Sequence, residues 1–278
     1  MARRLRFALI AIVIVVLSPP ILALIWLTVK LKLSAARWLA VFYHRFFCRV
    51  LNVRVEVIGE VDERRPLLLV ANHVSWLDIP VIGTIAPLTF IAKKEVGTWP
   101  VIGQLASLQR TIYLDRERRT TTLASATEIA GRLAGGDPAM LFAEGTSSDG
   151  NRVLPFKSAI VGAAEALAEG SDQEVWLQPM AIAYTRLNGM PMGRQHRPVV
   201  AWYGTTDLVP HLIGVFMAGP VDVEVVFGEP IQVATVGGRK EATRLARAEV
   251  RRMLGEALTG RRPDPADTVV EVVPRKVA

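Results

Sequence analysis

His73 and Asp78 stand five residues apart, directly after the apolar run Leu67-Leu68-Leu69-Val70-Ala71. An imidazole and a carboxylate can work together as a general base. The carboxylate accepts from one ring nitrogen and fixes the tautomer, and the other nitrogen takes a proton from a substrate hydroxyl. Such a base contributes on the order of 10²–10⁴ in rate. Residues five apart do not share a face of a continuous helix, where neighbours lie three or four apart. A working pair therefore needs the chain to turn between them, with His73 on a loop and Asp78 near a helix start. Pro80 agrees, because proline fits the first turn of a helix and not its interior. A second reading stays open: Ser75 and Asp78 have capping-box spacing, with Asp in place of the usual Glu, and could simply start a helix.

The surrounding chain reads as alternating strands and helices. Residues 54–59 alternate and fit an edge strand, and 67–71 fit a buried one. A short apolar helix over 78–86 leads to a strand over 88–93 that delivers Lys93 and Lys94. Residues 95–108 read as helix or loop, and 111–114 as a strand ending before Asp115-Arg116. Leu123, Ala126, Ala130 and Leu133 mark a helix face over 119–133, closed by Gly135-Gly136. The strand 139–143 delivers Glu144-Gly145-Thr146. An Ala-rich helix over 160–168 follows, then a strand over 175–184 that Pro179 demotes to an edge or bulged position. Residues 187–198 read as a loop, 199–203 and 221–227 as strands, and 239–258 as a long charged helix. The alternation predicts an α/β fold: a mixed, largely parallel sheet flanked by helices, with polar residues at successive strand ends.

An N-terminal hydrophobic, membrane-anchoring segment precedes this domain. Arg3, Arg4 and Arg6 lead into an uncharged run over 7–29, long enough for a bilayer that needs about 20 apolar residues. The run is too long for an ordinary signal-peptide core, and no small-residue cleavage site follows it. Pro19-Pro20 predicts a break, leaving halves of roughly 10–12 residues, about 15–18 Å each. With bases on both sides there is no charge asymmetry to orient a crossing. A bent or re-entrant anchor with both ends on the cytoplasmic side is the expectation, and a kinked single span the alternative. Residues 34–51 then mix Arg37, Arg45 and Arg49 with Trp38, Phe42, Phe46 and Phe47, which suits the lipid headgroup zone or a core helix with snorkelling arginines. The chain thus divides into an anchor and basic helix over 1–51, a catalytic domain over 52–260 and a disordered, Pro-containing tail over 261–278.

The net charge is +7, which points to anionic partners. Nucleic acid is not among those expected: much of the basic charge flanks the apolar run, and no recognition motif is visible. Cys48 is the sole cysteine, so no internal disulfide forms, and its apolar surroundings predict an inert thiol. The four histidines lack metal-ligand spacing, and His44, His196 and His211 read as structural. No Gly-x-Ser-x-Gly elbow is present, which speaks against a serine hydrolase.

Four stretches in order resemble the motifs of the glycerolipid (lysophospholipid) acyltransferase family. They are 72–78, from Asn72 to Asp78; 91–95 with Trp99-Pro100 and 113–116; 142–148, from Phe142 to Ser148; and 177–181. Each is weak alone, and together they are specific. The resemblance implies His73 as base and Asp78 as its orienting partner. It implies Arg116, Glu144, Gly145 and Thr146 on the acceptor side. Lys93 and Lys157, with Arg110 and Arg116, are candidate contacts for anionic groups. The implied reaction moves an acyl group from a thioester of acyl carrier protein or coenzyme A to a free hydroxyl of a lysolipid. It uses no metal or other cofactor, and it places the enzyme on the cytoplasmic face of the inner membrane with membrane lipids as partners.

Two departures matter. The family's third motif usually has proline where Ala143 stands and arginine, its expected phosphate contact, where Ser147 stands. That speaks against a phosphate-bearing acceptor such as lysophosphatidic acid. The run 144–152, with 154–157, is most similar to the subgroup that acylates lyso-ornithine lipid, and 201–204 with Pro210-His211 also resembles it. A 1-acyl-sn-glycerol-3-phosphate acyltransferase is the alternative, and a non-enzymatic lipid-binding protein on the same fold a more distant one.

Overall fold

β2 (Leu67–Ala71) lies inside the sheet with all five residues buried, the state an unbroken apolar run adopts in a parallel sheet covered on both faces. The computed structural model describes residues 2–99, 102–109, 111–114, 136–158, 161 and 175–261. The elements preceding β2 are α1 (Ala2–Lys30), α2 (Ala35–Leu51) and β1 (Val53–Ile58). After it come α3 (Asp78–Gly83), β3 (Thr89–Lys93), α4 (Ile102–Leu108), β4 (Ile112–Leu114) and β5 (Ala139–Phe142). The chain continues through β6 (Trp176–Leu187), β7 (Met190–Pro191), α5 (Leu208–Ala218), β8 (Val221–Phe227), β9 (Ile231–Gln232) and α6 (Arg239–Thr259). The helices expected over 119–133 and 160–168 and the tail after Arg261 lie outside the described residues.

The sheet runs β1-β8-β6-β2-β5-β3-β4, with β7 and β9 also pairing β6. Pairing is parallel except for the three antiparallel neighbours of β6. The mixed, largely parallel α/β sheet is therefore as the sequence predicts, and β1 is an edge strand. Strand alternation divides the core. Leu67, Leu69 and Ala71 pack with Ile182, Val225 and residues of α1, α2, α3 and α5. Leu68 and Val70 pack on the other face with Leu141, Leu177 and Ala242 and Ala246 of α6.

Four expectations are corrected. β6 is a central strand, not an edge one, and its irregularity falls between Tyr184 and Arg186 rather than at Pro179. Pro179 is tolerated because its carbonyl accepts from Gly228 N–H at 2.9 Å, so its missing donor faces the gap between β8 and β9 where no partner strand runs. The loop expected over 187–198 begins as a hairpin: Asn188 and Gly189 both have positive φ and join β6 to β7, the turn an Asn-Gly pair favours. Residues 199–203 form no strand; Arg197–Val199 is a 3₁₀ turn, and Trp202 N–H donates to Val74 O at 2.9 Å instead of joining the sheet.

The fourth correction concerns the anchor. α1 is one helix of 29 residues with Pro19 and Pro20 inside it. Each proline removes a donor to the carbonyl one turn earlier and crowds that carbonyl with its ring, a local cost that the packing of α1 offsets. The helix is also strapped along α2: Arg6 Nη2 donates to Leu51 O at 3.0 Å and Tyr43 OH to Ser18 Oγ at 3.2 Å. Ile10, Ser18, Ile25 and Thr28 form a buried stripe, while Leu9, Ile12, Val15, Val16 and Trp26 are exposed. α1 is long and apolar enough to cross a membrane. In α2, Trp38 and Phe42 are exposed, but Tyr43, His44, Cys48 and Leu51 are buried, so this helix serves the core as well as the outer surface.

Candidate active site

β2, β3 and β5 run parallel and end side by side at Ala71, Lys93 and Phe142, the edge where open α/β sheets gather their chemistry. Past Ala71 the backbone leaves the sheet and the Asn72 side chain takes over its pairing. Nδ2 donates to Ile182 O at 3.0 Å, and Oδ1 accepts from Ile182 N–H at 2.9 Å. The main chain is thus free to turn while the strand end stays clamped.

That turn brings His73 and Asp78 together. His73 Nδ1 lies 2.7 Å from Asp78 Oδ2. The same oxygen accepts from Val74 N–H at 2.7 Å and Ser75 N–H at 3.0 Å. Tyr184 OH donates to Oδ1 at 2.7 Å. Asp78 holds the ring and also closes back onto the Ser75 amide, but the capping box is only half made: Ser75 Oγ is buried with no partner, and α3 starts at Asp78 with no side-chain cap. The Asp78 side chain is fully buried, whereas that of His73 keeps 19% of its surface exposed. An ionised carboxylate only accepts, so Nδ1 carries the proton and Nε2 presents a lone pair. Nε2 has no partner among the described residues. Phe142 stacks on the imidazole with centroids 4.0 Å apart and a 19° tilt. Burial first, then the charge of Asp78, push the Tyr184 hydroxyl well above its ordinary range, so it remains a donor.

Glu144 sits beneath this pair, 2% exposed. Its Oε2 accepts from His73 N–H at 3.3 Å and its Oε1 from Leu154 N–H at 2.8 Å. It therefore ties the His73 loop to the loop after β5. Burial pushes its carboxyl up to about 7, against the two backbone donors, with Asp78 adding to the rise. Gly145 has φ +71°, a turn conformation that costs glycine nothing. Ser148 N–H donates to His73 O at 2.8 Å, a second tie between the two loops.

A family model described as Acyltransferase matches residues 52–183. The chain is 48% identical to the lyso-ornithine lipid O-acyltransferase of Brucella abortus, over 92% of this chain and 96% of that one. The chain belongs to the acyltransferase family. This acyltransferase is also 46% identical to the lyso-ornithine lipid O-acyltransferase of Rhizobium meliloti, over 91% of this chain and 86% of that one. Its fold matches the crystal structure of the 1-acyl-sn-glycerophosphate acyltransferase from Thermotoga maritima with a TM-score of 0.63 and 22% identity, covering 95% and 97% of the two chains.

The acyltransferase brings only part of its expected site together. Thr146, Lys93 and Lys157 are exposed at the same edge as His73. Arg110 and Arg116 lie outside the described residues. Ser147, in the family's arginine position, donates its hydroxyl to Trp202 O. Among the described residues, no group of three or more His, Cys, Asp or Glu is placed to hold a metal ion. Two contributors went unread in the sequence. Asn72 and Tyr184 lie at or beside the motifs, but their roles depend on which strands become neighbours.

Proposed function

We propose that this acyltransferase is a lyso-ornithine lipid O-acyltransferase using a thioester of acyl carrier protein or coenzyme A. The identity to the Brucella relative along nearly its whole length supports the acceptor. The carboxylate-held imidazole supports the chemistry. His73 Nε2 takes the proton of the acceptor hydroxyl as its oxygen attacks the thioester carbonyl. The tetrahedral intermediate then expels the thiolate, which recovers the proton from His73. A thioester is already activated, so a direct attack suffices and no covalent enzyme intermediate is needed. Thr146, with Arg116, Lys93 and Lys157, would meet the acceptor or donor, while Glu144 and Gly145 shape the loop between them. No metal or further cofactor is required.

The exposed apolar face of α1, continued by Trp38 and Phe42 of α2, supports a seat on the membrane. Because α1 is packed along the domain, we read it as lying on the cytoplasmic face of the inner membrane rather than leaving the domain to cross it. The test is an assay of the full-length enzyme with labelled acyl donor, comparing lyso-ornithine lipid with lysophosphatidic acid, alongside His73→Ala. Preference for lyso-ornithine lipid and a loss of about 10²–10⁴ in the variant are expected. A preference for the phosphate acceptor would refute the acceptor, and an active variant would refute the base.

A further inference from the structure

Arg197 is 7% exposed, a rare state for an arginine without a counter-charge. It makes no ion pair among the described residues. One terminal nitrogen donates to Asn151 Oδ1, and Nε is buried with no partner. Burial pushes its guanidinium down, Arg194 adds to this, and the charge of Asp149 opposes it. An unpaired buried charge is strongly unfavourable unless something satisfies it.

Its position says what that something is. Residues 197–202 turn on themselves, with Ala201 N–H donating to Arg197 O at 2.8 Å, and are tied to the active-site loop by Trp202 N–H to Val74 O at 2.9 Å. Ser147 Oγ bonds Trp202 O from the other side. A methyl group on Gly150 would lie 3.0 Å from Val74 Cγ1 and 3.8 Å from Arg197 Cδ, so the Arg197 stem and the residue after His73 flank the same glycine. A positive charge has thus returned to the acceptor side from a different stretch of chain than Ser147. Asp149 is half-buried there, and its Oδ1 accepts Asn151 N–H at 3.1 Å. Asn151 therefore bonds both charges and stands between them, and no direct ion pair forms.

Separated opposite charges fit a ligand that carries both. We propose that Arg197 and Asp149 form a receptor for a zwitterionic amino-acid headgroup, Arg197 taking the carboxylate and Asp149 the ammonium. This rests on the lyso-ornithine lipid reading above, since ornithine offers both groups where a glycerophosphate offers only negative charge.

The test compares lyso-ornithine lipid with its carboxyl methyl ester and its side-chain N-acetyl derivative, using the full-length enzyme and labelled donor. The wild type should use both derivatives with KM raised roughly tenfold or more, as expected for losing a hydrogen bond to a buried charge. Arg197→Gln should raise KM for the parent lipid by a similar factor, with a smaller change in kcat, and should no longer distinguish acid from ester. Asp149→Asn should likewise lose discrimination between amine and acetamide, and it serves if the arginine variant does not fold. Derivatives used as well as the parent, or variants that keep full discrimination, overturn the proposal. If the wild type does not turn over lyso-ornithine lipid at all, the parent reading falls and this one with it. Normal turnover without discrimination overturns this one alone.

Discussion

The short helix α3 meets a histidine at each end, and the two could hardly be treated more differently. At its start, Asp78 holds His73 at 2.7 Å and collects three further donors, from Val74, Ser75 and Tyr184. At its end, Gly83 makes room for His44: a methyl group there would stand 2.3 Å from the ring. His44 is 4% exposed, and burial pushes it down to about 4 against a hydrogen bond with Gln109. The cavity beside His44 is about 30 Å³, room for little more than a water and far below the several hundred Å³ of a ligand site. An imidazole becomes a base only where a carboxylate and an opening come with it. The C-terminal ends of the parallel strands supply both, whereas the carboxylate lining the cavity beside His44, Asp137, is paired with Arg37 at 2.7 Å.

Asp78→Asn is the sharpest way to break that contrast. An amide keeps the shape of the network, with Tyr184 reversing from donor to acceptor, but it removes the charge that stabilises a protonated His73. We expect acyl transfer to fall by about 10²–10⁴ with the fold retained, read as kcat alongside a thermal melt. Activity near wild type would mean that the carboxylate charge is not what sets His73 apart from His44.

Much of this was legible beforehand. The pairing of His73 with Asp78 and the turn between them follow from spacing and Pro80, because both are local. The strand order past β5, the central position of β6 and the buried state of Arg197 are long-range outcomes. No window of sequence shows that Gly228 will meet Pro179, or that Tyr184 will arrive beside Asp78 from 106 residues away. The Asn188-Gly189 turn was visible, and was hidden only because the residues beyond it resemble a loop. The proline pair in α1 misled for a related reason: helix breaking is a local penalty, and the packing of α1 against α2 that offsets it is tertiary.

The same contrast predicts opposed responses to pH. Glu144, near His73, is raised from 4.5 to about 7, so between those values the folded protein holds a proton that the unfolded chain has released. Its contribution to stability is lost as pH rises through that window. His44 is lowered from 6.5 to about 4, so the unfolded chain takes up a proton that the folded one refuses, and stability is lost as pH falls. Each effect is at most about 3 kcal/mol, and over their shared range the two cancel. Glu144→Gln should therefore gain stability relative to wild type as pH rises from about 4.5 to 7, and His44→Gln as pH falls from about 6.5 to 4. Denaturation curves across pH check both; curves parallel to wild type would remove the electrostatic difference between the two ends.

The smallest expected effect sharpens how the His73 end is built. Tyr184→Phe deletes one of the donors to Asp78 and leaves Oδ1 buried without a partner, a loss of about 1–3 kcal/mol in stability. The Val74 and Ser75 amides still grip Oδ2, the oxygen that faces the ring. Orientation of His73 should therefore survive, with kcat down by roughly tenfold or less and KM unchanged. If kcat falls as far as in Asp78→Asn, the two amides do not suffice, and Tyr184 on β6 is a required positioning residue. If neither kcat nor the melting temperature moves, Oδ1 has found another donor. In that case the α3 turn alone, formed within residues 73–78, is enough to set the imidazole.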